Sequence, residues 1–194
     1  MASVVLNGDS SGSVTLSAPS AAGTTTQTLV ATSGTLAPLV AGTAVASTSG
    51  TSIDFTSIPS WVKRITVMLS GVSTNGSSVT QVQIGSGSVT TTGYSSTASY
   101  GSSAGQYSTL TSGFPVIVSN VTGAAQVFSC VLVLNLISSN TWVAQGANAI
   151  STANISVNIA GTSGALSGAL DRVRITTVNG TDTFDAGSIN IMYE

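Results

Sequence analysis

The chain has 194 residues, of which only ten are charged, four Lys or Arg and six Asp or Glu, and it contains no histidine. Soluble domains usually devote about a quarter of their residues to charge. At 5% charge, acid–base catalysis has almost no titratable side chains to draw on, and four cations are too few to neutralise a nucleic-acid backbone.

Ser and Thr number 62 and Gly 21, while 42% of the residues are hydrophobic and mean hydropathy is +0.44. That much apolar content argues against wholesale disorder. So little charge also leaves little to oppose self-association. The opening MASVVLNGDSS has neither a basic nor a long apolar region, so no secretory signal is expected. The most apolar run, Val127–Ile137, is about half the length of a membrane span. Cys130 is the single cysteine, which excludes an intrachain disulfide and a thiolate metal cluster. Inside that apolar run it reads as a small buried hydrophobe rather than a reactive thiol.

Residues 1–50 read as an extended low-complexity arm of short β fragments, VVLN, SVTLSAP and TQTLVAT, with a faint repeat. The stretch 36–50 (LAPLVAGTAVASTSG) suits a linker, or a strip lying on a neighbour. Composition changes at Thr51. Strands are expected at 53–55, at Trp61–Leu69 with Trp61, Lys63, Ile65, Val67 and Leu69 on one face, and at 79–84 after an Asn75–Gly76 turn. Residues 85–113, rich in Ser, Gly and Tyr, read as a strand at 88–94 followed by a long loop. Further strands are expected at 114–118, 126–137, 142–149, 154–159, 170–177 and 188–193, with the Asn179–Gly180 turn between the last two. The 126–137 strand is apolar on both faces, marking the centre of a two-layer structure. Many short strands, regular turns and no convincing helix predict an all-β protein. The expected form is an antiparallel β-sandwich or jelly roll over 51–194 with an extended N-terminal β arm over 1–50.

The segment SGTSIDFTSIPSWVKRITVMLSGVSTNGSS (49–78), then VQIGSGSVTTTGY (82–94), then LDRVRITTVNGTDTFDAGSINIMYE (170–194) resembles a module of tailed-phage and prophage virion proteins. The arm segment 12–35 is similar to the β-repeat of phage fibre proteins. The resemblance implies a virion protein made in the host cytoplasm: a tail fibre, a head fibre or a capsid decoration. It also implies a homotrimer about a three-fold axis, whose partners are its own copies and other virion proteins such as the major capsid protein. A fibre tip would read a host surface glycan instead. No enzyme activity, cofactor, metal, nucleic acid or membrane is expected.

Three groups of residues are candidate sites. Tyr94, Tyr100 and Tyr107, set among Ser and Gly, have the chemistry of adaptable recognition loops, or pack on a neighbour. Asp54, Arg64, Arg172 and Arg174 are candidate interface ion pairs, with Asp54 and Arg64 as one pairing. Asp182 and Asp185 could serve as the two carboxylates of glycoside cleavage. They read better as caps of a turn or partners of Arg172 or Arg174, and no calcium-loop pattern surrounds them. Asp9, Asp54, Asp171 and Glu194 are scattered and carry no motif. Trp61 and Trp142 are expected in the core.

Overall fold

The computed structural model describes residues 3–7, 10–17, 20–21, 37–101 and 105–194. The chain divides into two units, Met1–Leu36 and Ala37–Glu194. In the first, β1 (Ser3–Asn7) and β2 (Ser13–Ser17) form an antiparallel hairpin in which Val4 pairs with Leu16 and Leu6 with Val14. The TQTLVAT fragment and most of the faint repeat lie outside the described residues.

The second unit is all-β and antiparallel. Its strands are β3 (Val40–Ala41), β4 (Val45–Ala46), β5 (Ser52–Thr56), β6 (Arg64–Thr74), β7 (Thr80–Ser86), β8 (Ser88–Val89), β9 (Ser95–Tyr100), β10 (Gln106–Leu110) and β11 (Phe114–Pro115). A 3-10 turn at Ser119–Val121 precedes β12 (Phe128–Ser138), β13 (Thr141–Ile150), β14 (Ile155–Thr162), β15 (Arg172–Thr177) and β16 (Phe184–Tyr193). A long sheet runs β10-β9-β14-β13-β12-β6-β16-β3, with β4 also on β16. A short sheet runs β11-β7-β15-β5, with β8 on β7.

The inward residues follow the two-residue period of a pleated strand. Ile65, Val67 and Leu69 of β6, Leu132 and Leu134 of β12, and Ile189 and Ile191 of β16 meet Val82, Ile84, Val173 and Ile175 of the short sheet in one buried cluster. Cys130 belongs to that cluster, as the apolar run around it predicts. Pro115 sits on the edge strand β11, where its missing N–H costs no ladder bond.

Several expectations are corrected. The β6 strand begins at Arg64, because Val62 N–H bonds Pro59 C=O in a turn. Trp61 therefore stays 40% exposed and leans on Tyr193, with ring centroids 5.9 Å apart, while Trp142 is buried as expected. The supposed loop after residue 94 is instead the hairpin β9–β10, paired from Ser96↔Leu110 to Tyr100↔Gln106. Its buried positions Ser96, Ala98 and Ser108 are small, with Tyr100 and Leu110 only at the two ends, so hydrophobic periodicity gave little signal there. Residues 37–50 are not a free linker: β3 and β4 edge this unit's own β16. The compact unit thus starts at Ala37 rather than at the composition change at Thr51.

The Asn75–Gly76 and Asn179–Gly180 turns are present, but neither closes a hairpin. Each carries the chain from one sheet to the other, β6 to β7 and β15 to β16. The two corners clasp one another. Asn75 N–H donates to Thr183 C=O, Thr183 N–H donates to Asn75 Oδ1, and Asn179 N–H donates to Ser78 Oγ.

Candidate interaction surface

Of the three tyrosines, only Tyr107 is available to a partner. Tyr94 is buried edge-on against Phe114, and its hydroxyl accepts from Ile84 N–H at 2.9 Å and donates to Thr90 C=O at 3.0 Å. Burial pushes its phenol up to about 12, against the partial relief of the Ile84 bond. Tyr100 points to the core side of β9, and its hydroxyl accepts from Asn120 Nδ2 at 2.8 Å. Tyr107 pairs with Ser99 on the opposite face and is 68% exposed. The expected three-tyrosine recognition loop is therefore dispersed over two faces and the core.

The register assigns Tyr107 to a different surface. One row across the outer face of the long sheet runs Met68, Val131, Ala147, Asn158, Ser99, Tyr107, one residue from each of β6, β12, β13, β14, β9 and β10. The next row runs Thr66, Val133, Gln145, Ala160, Thr97, Thr109. None of these residues is buried, and none is charged. A third row starts at Arg64, continues through Asn135, Val143 and Thr162 to Ser95, and supplies the one charge. That charge is already matched, since Arg64 Nη1 lies 2.9 Å from Glu194 Oε1.

The apolar character of both faces of β12 now has a physical reading. Leu132 and Leu134 fill the core, whereas Val131 on the outer face is 50% exposed in the middle of the sheet. A single exposed Val is ordinary on a protein surface, so it is the uncharged rows around it that make this face a candidate contact surface. Two shallow depressions mark the same face: about 290 Å³ between Val131, Ala147, Ala149 and Ser156, and about 390 Å³ over Thr97, Thr109 and Ala160. Six strands of five to eleven residues, at ~3.3 Å per residue and spaced ~4.8 Å apart, give an area on the order of 700 Å². That is close to the ~800 Å² per partner of a standard interface.

The short sheet's outer face has the opposite character. Arg174 makes a bidentate pair with Asp54, with both contacts at 2.7 Å, because β15 and β5 place the two residues side by side. Arg172 pairs with its neighbour Asp171, whose carboxyl it holds below the ordinary carboxylate range. Asp54 thus takes Arg174, not Arg64, and the four residues expected at an interface are satisfied within the chain. Sequence order hides this, because the β5–β15 register joins residues 120 positions apart. The Asp54–Arg174 pair is about one-third exposed, and such pairs contribute little. Asp54→Asn is expected to change stability by less than about 1 kcal/mol, measured by urea denaturation.

The two remaining carboxylates serve the corner clasp. Asp182 accepts from Ser78 N–H at 2.9 Å and from Asn179 Nδ2 at 2.6 Å, and Gly76 passes so close that a Cβ there would lie 2.1 Å from its carboxyl. Asp185 accepts from Ser73 Oγ. Both are thereby engaged as turn and strand anchors rather than aimed together into a cleft, and neither touches Arg172 or Arg174 in an ion pair. Asp9 lies outside the described residues. Among the described residues no group of three or more potential metal-ligating side chains occurs, and no helix is long and apolar enough to cross a membrane. No protein-family profile, no curated protein and no solved structure matches this chain.

Proposed function

We propose that this chain is a non-enzymatic structural protein of a phage particle. In this reading it is a jelly-roll homotrimer that decorates or cements the capsid, or forms a head fibre, by binding the particle surface. The observation that carries the binding role is the outer face of the long sheet: rows of uncharged residues running from Met68 through Val131 to Tyr107, with a single internally matched charge in a third row. A face of that size gains its stabilisation from apolar burial at about 25 cal/mol per Å², offset by the cost of ordering two partners. The assignment to a phage particle is supported by the resemblance of segments 49–78, 82–94 and 170–194 to virion modules.

The test uses the face itself. Val131→Glu places a carboxylate on an exposed position, where substitutions usually shift stability by no more than about 0.5 kcal/mol. The expected result is a protein with wild-type circular dichroism and melting that is incorporated into particles at least roughly tenfold less, since a buried unpaired carboxylate costs several kcal/mol. Wild-type incorporation would remove this face from the contact. Cryo-EM of whole particles tests the location: many copies spread over the shell support decoration. A few copies at the tail tip would instead favour the reading of a host surface glycan, with Tyr107 the exposed aromatic.

A further inference from the structure

We propose that the β1–β2 hairpin is a self-association element whose apolar face, Val4, Leu6, Val14 and Leu16, packs on the same face of other copies of this chain. It draws on the homotrimer proposed above only for the number of copies.

The β2 strand alternates cleanly, while β1 carries Val5 on the opposite face between Val4 and Leu6. Val4, Leu6, Val14 and Leu16 share one face, while Val5, Asn7, Ser13, Thr15 and Ser17 belong to the other. Such alternation is the signature of a strand buried on one side. Yet the four aliphatic side chains are between 58% and 62% exposed. A two-stranded hairpin is at best marginally stable in water without a third strand or a packed face. The exposed patch is of the order of a few hundred Å², the size at which apolar patches mark interaction sites.

The identity of the occupant follows from the side-chain volumes. Val4 stands level with Leu16, and Leu6 level with Val14. Any rotation axis parallel to the strands, two-fold or three-fold, brings the β1 column of one copy against the β2 column of the next at the same height. Val4 then meets Leu16 of the other copy, and Leu6 meets its Val14. Every large side chain meets a smaller one, so the face is complementary to itself, as a closed cyclic assembly requires. The four residues of this face are uncharged, so the face itself sets no like charges against one another.

The experiment uses the purified full chain, without particles. In sedimentation velocity, Leu6→Lys with Leu16→Lys is expected to weaken self-association roughly a hundredfold or more, from the lost burial of two leucines per copy. Val5→Lys, on the other face, is expected to leave it unchanged. A wild-type chain that stays monomeric, or a double variant that associates as the wild type does, overturns the proposal. Geometry is tested by co-expressing Leu6→Cys and Val14→Cys chains under mild oxidation. Disulfides joining the two variants are expected well above those formed by either alone, and equal yields overturn the pairing. Because no particle enters either measurement, self-association with no particle binding would defeat the proposed function alone. Particle binding by a chain that does not self-associate would defeat this inference together with the homotrimer, and would leave the particle-binding role standing.

Discussion

Gly187→Ala is expected to cost about 3 kcal/mol or more and to lower the melting temperature of the Ala37–Glu194 unit by roughly 10 °C. Gly187 lies in β16 where the register with β6 slips between Ala186 and Ser188. Its φ is +92°, and a Cβ there would lie 2.5 Å from the carbonyl oxygen of Gly71 and 2.6 Å from that of Ser70. Two penalties add: the left-handed region costs a side-chain-bearing residue about 1–2 kcal/mol, and the obstructing atoms are backbone, so relief requires β6 and β16 to move apart. The same position anchors the sheet's edge. Ser47 N–H donates to Gly187 C=O at 2.9 Å, and Ser47 Oγ donates to Ala186 C=O at 2.8 Å, with Ser47 fully buried. Gly50→Ala is the control. Its φ is +79°, but its nearest neighbour to a Cβ is 3.7 Å away, so only the conformational cost of about 1–2 kcal/mol remains. Equal melting temperatures for the two variants would show that close approach at the bulge carries no weight.

The bulge also bears on function, because β6 forms one side of the proposed contact face and β16 flanks it. Met68 and Thr66 of that face are held in register with Asn190 and Met192 of β16. A variant that slips this register turns core residues outward, since a one-residue shift exchanges the faces of a strand.

Strands whose core face carries large aliphatics were legible from the sequence. Ile65, Val67 and Leu69 alternate plainly, as do Ile155, Val157 and Ile159, and both sets mark real strands. The β9–β10 hairpin was not legible, because its buried positions are Ser96, Ala98 and Ser108, and Tyr100 and Leu110 at the two ends are too far apart to show a hydrophobic period. The Asn–Gly turns were legible as turns but not as crossings, because a local turn signal contains nothing about which sheet the next strand joins. The candidate surface was legible only in part. The double-sided apolarity of β12 pointed to it, but Val131 and Tyr107 reach one row only through the registers of five strand pairings. The ion pairs failed for the same reason: Asp54 and Arg174 are neighbours only once β5 lies beside β15.

Stability is expected to change little between about pH 5 and pH 9 and then to fall steeply toward pH 12. The chain has no histidine, the one side chain whose ordinary range lies near pH 6.5. Two acids are buried in the core in their neutral forms. Burial raises the Cys130 thiol from 9.0 to about 12 and the Tyr94 phenol from 10.0 to about 12. Between its ordinary and folded values each group is deprotonated in the unfolded chain and still protonated in the folded one. The folded state then binds more protons, and stability declines as pH rises. The contribution is intact below pH 9 for the thiol and below pH 10 for the phenol, and is gone once both folded values are passed. At about 1.4 kcal/mol per unit, the thiol contributes a loss of about 4 kcal/mol and the phenol about 3. Together they are comparable with the 5–15 kcal/mol that holds a typical domain.

Urea denaturation from pH 7 to pH 12 separates the two groups. Cys130→Ala is expected to be somewhat less stable at pH 7, from the small cavity it leaves, and to lose much less above pH 9, so that its curve crosses the wild type's. Tyr94→Phe removes the phenol's share of the decline above pH 10 and leaves the thiol's, but strands the Ile84 N–H, at about 1–3 kcal/mol across the whole range. A Cys130→Ala curve parallel to the wild type from pH 9 to pH 12 would mean the thiol is not the group that titrates. A protein with so few charges has little else that could respond to pH, so its alkaline limit is set by two uncharged-looking residues sealed between the sheets.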